Sequence, residues 1–103
     1  MNHKIEQEIK AFVKARNWDQ YHNPKDLALS VTLEASELLE NFQWLSSEDA
    51  VLKNDQNIKE EIADVMIYSM MLAHKLDIDV EEAILSKIKK NAKKYPADEN
   101  HTF

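Results

Sequence analysis

The sequence contains no cysteine and no glycine among its 103 residues, and only two prolines. Without cysteine the chain can form neither a disulfide nor a thiolate metal site, and this absence fits a reducing, cytoplasmic location. Without glycine it lacks a Gly-rich phosphate loop and a dinucleotide-binding fingerprint. The scarcity of turn-forming residues also removes the usual chemistry of β-hairpins. A chain of this length with these absences is expected to form one all-α domain.

Charge and hydropathy exclude two further classes of protein. The chain has 13 Lys and Arg against 19 Asp and Glu, and its formal net charge of −6 argues against binding to nucleic-acid phosphates. No run of about 18 apolar residues is present, and the polar residues 1–10 are not typical of a signal peptide. We therefore expect neither a nucleic-acid partner nor a membrane partner.

Apolar spacing and capping residues predict four helices. Asn23 followed by Pro24 is typical of a helix start, and Asp79 with Glu82 has the form of a capping box. The polar, acidic stretch 47–57 is predicted to be a loop. The predicted helices cover about residues 2–16, 24–46, 56–76 and 80–94, within a domain of residues 1–96 followed by a flexible tail of residues 97–103. Four helices joined by short connections indicate a bundle.

Two of the predicted helices each carry two acidic residues three positions apart. Glu34 and Glu37 lie on the second helix, and Glu61 and Asp64 lie on the third. This spacing places both acids of a pair on one helical face, where like charges repel each other. On a helical wheel each pair flanks the apolar stripe of its own helix with the same phase, so packing of the two stripes would bring the four carboxylates together.

Four converging oxygen ligands suit a hard cation such as Mg²⁺, with Mn²⁺ as a substitute. One such pair alone is typical of a solvated helix surface, whereas two pairs in matching phase favour a metal site. A di-iron carboxylate bundle would require Glu-x-x-His motifs on two helices. His74 does not follow a glutamate at that spacing, and the remaining histidines lie outside the two central helices. The pattern therefore favours a site of oxygen ligands alone.

With these acid pairs the sequence resembles the MazG-like, all-α nucleoside triphosphate pyrophosphohydrolases, whose signature is ExxE…ExxD. Further blocks are similar to the dCTP-pyrophosphatase-type branch of that family, and they occur in the same order along the chain. The blocks are RNWDQYH at 16–22, FQW at 42–44, DVMIY at 64–68, and Lys87 and Asn91 followed by Tyr95 and Pro96. The resemblance extends over about residues 5–96.

The resemblance implies hydrolysis of a nucleoside triphosphate between its α and β phosphates, which would remove surplus or non-canonical nucleotides. It implies that Glu34, Glu37, Glu61 and Asp64 hold Mg²⁺, and that one of these glutamates activates the attacking water. It also implies a four-helix MazG-like protomer that assembles into a shared helical bundle, as a homo-dimer or a homo-tetramer. An acidic protein needs a metal ion to attract a triphosphate, because its own electrostatic field repels that substrate.

Five further residues are predicted to bind the substrate. The rings of His22 and Trp44 suit stacking on a base, although such side chains at helix ends more often pack against a core. Tyr68 lies on the acidic face of the third helix, where its hydroxyl would reach a phosphate or sugar oxygen or simply point into water. Lys87 and Asn91 belong to a helix whose basic residues also complement the helix dipole. The resemblance favours a role in the site for four of them (His22, Trp44, Lys87 and Asn91), and for Tyr68 both interpretations stay open. Base preference does not follow from stacking residues.

Four apolar residues lie away from the main stripes of the second and third helices: Leu29, Leu33, Ile67 and Met71. We expect an oligomer to bury them, unless the first and fourth helices cover them within one chain. A competing hypothesis is a non-catalytic, homo-oligomerising interaction module that uses these residues as its contact face. A third hypothesis retains the chemistry and takes a phosphoribosyl-linked nucleotide as substrate.

Overall fold

The computed structural model describes residues 3–97, and this part of the chain contains helices and turns but no strand. The elements are α1 (His3–Ala15), a short 3-10 helix (Asp19–Tyr21), α2 (Pro24–Glu40), α3 (Ser47–Lys75) and α4 (Val80–Lys94). The predicted all-α fold class is confirmed. The predicted flexible tail lies outside the described residues except for Ala97.

Side-chain caps begin three of the helices. A side-chain oxygen of each capping residue accepts a hydrogen bond from a backbone N–H that the first turn of a helix leaves unpaired. The bonds run from Asp26 N–H to Asn23 Oδ1 at 2.9 Å, from Asp49 N–H to Ser46 Oγ at 3.1 Å, and from Glu82 N–H to Asp79 Oδ1 at 3.1 Å. Capping therefore fixes the helix starts that place the acidic residues.

The loop predicted over residues 47–57 is wrong, because α3 begins at Ser47. Ser46 caps this segment, and the completely buried Ala50 packs it against the rest of the chain. The backbone leaves helical geometry only at Asn54, with φ −115° and ψ 24°, where α3 is kinked. The polar composition that indicated a loop is that of a solvated helix face with acidic residues favourably placed in its first turn.

The second helix ends earlier than predicted. α2 stops at Glu40, and residues 41–44 form turns rather than a further helical turn. Trp44 has a positive φ of 64°, which is incompatible with a continuing right-handed helix. Phe42 and Trp44 therefore belong to the connection between α2 and α3.

The main interface of the described residues joins α2 to α3, and a smaller one joins α1 to α3. Leu27 of α2 is 2% exposed, and Met70 and Met71 of α3 are each 7% exposed, so the core lies between these helices. No residue of α4 is buried, which leaves Ile88 exposed on its surface. No helix within residues 3–97 is both long enough and apolar enough to cross a membrane.

The four apolar residues that lie away from the main stripes of the second and third helices divide into two groups. Leu29 and Leu33 are each 55% exposed, as expected for a chain considered without a partner. Met71 is buried within the protomer, and Ile67 is half-buried. Other parts of the same chain therefore bury Met71, whereas Leu29 and Leu33 remain exposed to solvent.

Candidate functional site

Three carboxylates from two helices meet beside the α2–α3 interface. Glu34 lies near the middle of α2, and Glu61 and Asp64 lie in the second half of α3. One oxygen of each of these three carboxylates lies within 4.8 Å of the other two, and all three side chains are half-buried. The matching phase of the acids on the two helices produces this convergence, because the apolar stripes next to them pack together.

Two oxygens in this group lack a hydrogen-bond partner. Oε2 of Glu34 and Oε2 of Glu61 are shielded from solvent, and neither atom is hydrogen-bonded within the described chain. A buried charged oxygen without a partner is unfavourable, and buried charges in proteins are usually paired or bound to a metal. The ligand set consists of carboxylate oxygens alone, which suits Mg²⁺ or Mn²⁺. These residues therefore fit a divalent cation.

The pKa of Glu34 is raised from 4.5 to about 7. Burial is the largest cause, since it disfavours the charged carboxylate. The carboxyl group of Glu37 adds to the increase through hydrogen bonding and charge, followed by Glu61 and the charge of Asp64. Without a cation, Glu34 is therefore partly protonated near neutral pH.

The pKa of Glu61 is also raised, and burial is again the main cause. The carboxylates of Glu37 and Asp64 raise it further, whereas hydrogen bonding to Glu34 lowers it. This opposite effect arises because a protonated Glu34 donates to the Glu61 carboxylate and stabilises its charge. Both increases favour the protonated carboxyl groups, and a divalent cation would compete with protons for them.

Glu37 and Tyr68 lie at the edge of the three carboxylates. Glu37 is exposed, and its charge acts on both Glu34 and Glu61. Burial raises the pKa of the Tyr68 hydroxyl, and the charges of Glu34, Asp64 and Glu37 raise it further. Tyr68 therefore keeps its proton at neutral pH and offers a hydrogen-bond donor beside the acids.

His22 lies in a different part of the protomer. It lines an open cleft of about 810 Å³ between α1, the 3-10 helix, the end of α3 and the start of α4. The ring of Trp18 lies edge-on to the His22 ring, with 6.3 Å between the ring centroids. Leu27 and Met70 supply apolar walls, and none of the four acids lines this cleft in the described chain.

The remaining predicted substrate-binding residues lie on the connection between α2 and α3 and on α4. Trp44 is 96% exposed in the connection between α2 and α3. Lys87 is exposed and Asn91 is half-buried on α4. Within residues 3–97 of one protomer, α4 shares no extensive interface with α2 or α3. Lys87 and Asn91 therefore lie on a helix that has little contact with the helices that carry the acids.

Two asparagines near the acids were missed by the sequence analysis as site residues. Asn41 and Asn57 are hydrogen-bonded to each other across the α2–α3 interface. The available signal was their spacing, since Asn41 follows Glu37 by four residues and Asn57 precedes Glu61 by four. That spacing becomes informative only when the alignment of the two helices is known.

Comparison with known proteins gives consistent matches. A sequence model of the MazG-like family matches residues 29–103. The chain is 36% identical over 90 residues to dCTP pyrophosphatase 1 of Mus musculus, covering 82% of this chain and 53% of the mouse protein. It is 35% identical over 91 residues to dCTP pyrophosphatase 1 of Homo sapiens, covering 84% of this chain and 54% of the human protein. The chain thus spans about half the length of the curated relatives it matches.

A solved structure matches over almost the whole chain. A crystal structure of a pyrophosphatase from Archaeoglobus fulgidus superimposes with a TM-score of 0.83 and 39% sequence identity. The match covers 93% of this chain and 95% of the archaeal chain.

Proposed function

Because this chain belongs to the MazG-like family, we propose that it is a metal-dependent nucleotide pyrophosphohydrolase. Its resemblance to the dCTP-pyrophosphatase-type branch is confirmed by the mouse and human relatives. The proposed reaction converts a nucleoside or deoxynucleoside triphosphate into the monophosphate and pyrophosphate, in the cytoplasm, and so clears unwanted nucleotides. The observation that supports it best is the convergence of Glu34, Glu61 and Asp64 with two shielded, unpaired oxygens.

In this proposal Glu34, Glu61 and Asp64 hold Mg²⁺, or Mn²⁺ in its place, and the fourth acid, Glu37, acts as the base. Glu34, Glu61 and Asp64 supply ligands from a half-buried position, and Glu37 faces them from the exposed side. The bound cation offsets the negative charge of the phosphates and polarises the phosphoryl group. Glu37 has the best access to solvent of the four acids, so it is well placed to accept a proton from the attacking water.

The proposed substrate contacts surround this centre. Tyr68 retains its proton and donates a hydrogen bond to a phosphate or sugar oxygen. Stacking on the exposed ring of Trp44 and the half-buried ring of His22 binds the base, and Lys87 and Asn91 bind phosphates. Because α4 has little contact with α2 and α3 within one protomer, Lys87 and Asn91 are proposed to reach the nucleotide at the acids of a second copy of the chain.

A homo-dimer or homo-tetramer is part of the proposal. Leu29 and Leu33 on α2 and Ile88 on α4 are all more than half exposed, which is typical of surfaces that are covered by a partner. Light scattering after size exclusion measures the molar mass directly. We expect a mass of two or four chains, and a Leu29→Glu, Leu33→Glu variant should reduce it.

The activity is tested by measuring pyrophosphate release from a panel of nucleoside and deoxynucleoside triphosphates with added Mg²⁺. The panel includes a phosphoribosyl-linked nucleotide, so that it also separates the two substrate hypotheses. We expect pyrophosphate from at least one free triphosphate and no release in the presence of a chelator.

A Glu37→Gln, Glu61→Gln variant provides the test of the site, because each change removes a charge and keeps the shape of the side chain. We expect this variant to be inactive. Full activity in the variant would refute the site, and inactivity of the parent chain on every nucleotide would favour the non-catalytic interaction module.

A further inference from the structure

Two asparagines form a hydrogen-bonded pair one helical turn away from the carboxylates. Nδ2 of Asn57 on α3 donates to Oδ1 of Asn41 at the C-cap of α2, with an N···O distance of 2.7 Å. Asn41 is 7% exposed. It follows Glu37 by four residues, and Asn57 precedes Glu61 by four, so the amide pair lies about 6 Å along the helix axes from these acids.

The other polar atoms of Asn41 are bonded as well. Its Nδ2 lies 3.3 Å from the carbonyl oxygens of Glu37 and Leu38, in the last turn of α2. Its own carbonyl oxygen accepts a hydrogen bond of 2.8 Å from Nδ2 of Asn54, at the kink of α3. Two residues of α3 therefore hold one buried residue at the end of α2.

These hydrogen bonds fix the position of α2 along α3, which apolar packing constrains only weakly. Leu38 and Val65 on the packed stripes have no directional bonds, so apolar contact alone constrains sliding of one helix along the other only weakly. A buried polar side chain with one specific partner is a known means of fixing the alignment of two helices. The alignment that joins Asn41 to Asn57 is also the one in which Glu34 meets Glu61 and Asp64.

We propose that Asn41 and Asn57 are positioning residues for the cation site. Their hydrogen bond sets the alignment of α2 against α3, and this alignment brings the carboxylates together. This inference rests on the proposed function, because it assumes that the carboxylates bind a divalent cation. The asparagines touch neither the cation nor the nucleotide. Their removal should therefore weaken cation binding without removing a ligand.

The test uses the full chain and Mn²⁺ alone, with free Mn²⁺ measured by electron paramagnetic resonance. In an Asn41→Leu, Asn57→Leu variant the helix interface keeps its volume and loses its directional bonds. We expect the Kd for Mn²⁺ to rise about tenfold, a typical effect for residues that orient metal ligands. The melting temperature should stay close to that of the parent, because apolar replacement of the buried Asn41 is often neutral or stabilising and Asn57 is exposed.

Asn57→Ala is the second variant. Asn57 is itself exposed, so this change does not threaten folding, and it removes the same cross-helix bond. We expect the same direction and about the same size of change in the Kd for Mn²⁺. With saturating Mg²⁺ the KM for nucleotide should stay within about twofold, whereas the Mg²⁺ concentration for half-maximal activity should rise about tenfold.

Leu72→Ala is the matched control, since it removes apolar contacts from α3 eight residues beyond Asp64. It should lower the melting temperature and leave the Kd for Mn²⁺ within about twofold of the parent value, because it creates a cavity without removing a directional bond. A Kd for Mn²⁺ that is unchanged in both asparagine variants would overturn the inference, as would an equal increase in the control. Absence of Mn²⁺ binding by the parent chain would instead overturn the metal site of the proposed function.

Discussion

The carboxyl groups of Glu34 and Glu61 face each other from two adjoining helices, and each keeps one shielded oxygen, Oε2, without a hydrogen-bond partner. Burial raises the pKa of both groups, so near neutral pH the pair is protonated to a greater extent than two exposed glutamates. This relationship is unfavourable for folding above neutral pH and favourable for binding a divalent cation. Four expectations depend on it or on the residues around it.

The stability of the metal-free chain should fall as the pH rises. The pKa of Glu34 is 4.5 for the ordinary group and about 7 in the fold, so the folded chain binds more protons than the unfolded chain between these values. The contribution of Glu34 to stability is therefore complete below pH 4.5 and is lost as the pH rises through about 7. Melting in the presence of a chelator between pH 5.5 and 8.5 measures this dependence. Glu34→Gln should flatten it, and an equally steep dependence in that variant would exclude Glu34 as its source.

The stabilisation of the fold by divalent cations should increase as the pH rises, and so oppose the loss of stability of the metal-free chain. A cation competes with protons for Glu34 and Glu61, so its affinity rises with pH and binding releases protons. At 100 times its Kd, a cation that binds only the folded chain adds about 2.7 kcal/mol to the free energy of unfolding. We expect the difference in melting temperature with and without Mg²⁺ to be larger at pH 8 than at pH 6. A difference that is independent of pH would show that the cation binds elsewhere.

Glu37→Gln should separate cation binding from turnover. Glu37 is exposed and lies outside the group of three carboxylates, so we expect the Kd for Mn²⁺ to change by no more than about threefold. Loss of a general base lowers kcat by about 10²- to 10⁴-fold. Pyrophosphate release and Mn²⁺ titration on the same preparation give both quantities. Loss of Mn²⁺ binding in this variant would make Glu37 a fourth ligand rather than the base.

Trp44→Ala should affect nucleotide binding more than stability. The side chain is 96% exposed in the protomer, and exposed substitutions usually change the free energy of unfolding by less than about 0.5 kcal/mol. A base stacked on an aromatic ring gains about 1–3 kcal/mol, so we expect the KM for nucleotide to rise about tenfold. Steady-state kinetics and chemical denaturation measure the two effects. An unchanged KM would remove Trp44 from the proposed site.

The sequence predicted the convergence of the acids because helical periodicity fixes the phase of a side chain relative to its own apolar stripe. Glu34 and Glu61 could be placed together from spacing alone, once two stripes were assumed to pack. Asn57 could not, because its partner depends on how far one helix slides along the other. That alignment is set by contacts between helices and leaves no periodic signal within either of them.

Two other features of the structure could not be predicted from the sequence, for physical reasons. Residues 47–57 have the polar composition of a loop, but a well-capped helix with a solvated face has the same composition. Met71 and Leu29 both lie away from the main apolar stripes, yet Met71 is buried and Leu29 is exposed. A helical wheel shows which residues share a face but not which neighbouring helix covers that face.

Isothermal titration with Mg²⁺ and a non-hydrolysable nucleotide tests the central claim most directly, with the parent chain compared with a Glu34→Gln, Glu61→Gln variant. We expect a saturable heat and proton release from the parent, and neither from the variant, which should melt at or above the temperature of the metal-free parent. Equal binding of Mg²⁺ by both proteins would contradict the claim that these carboxylates hold the cation.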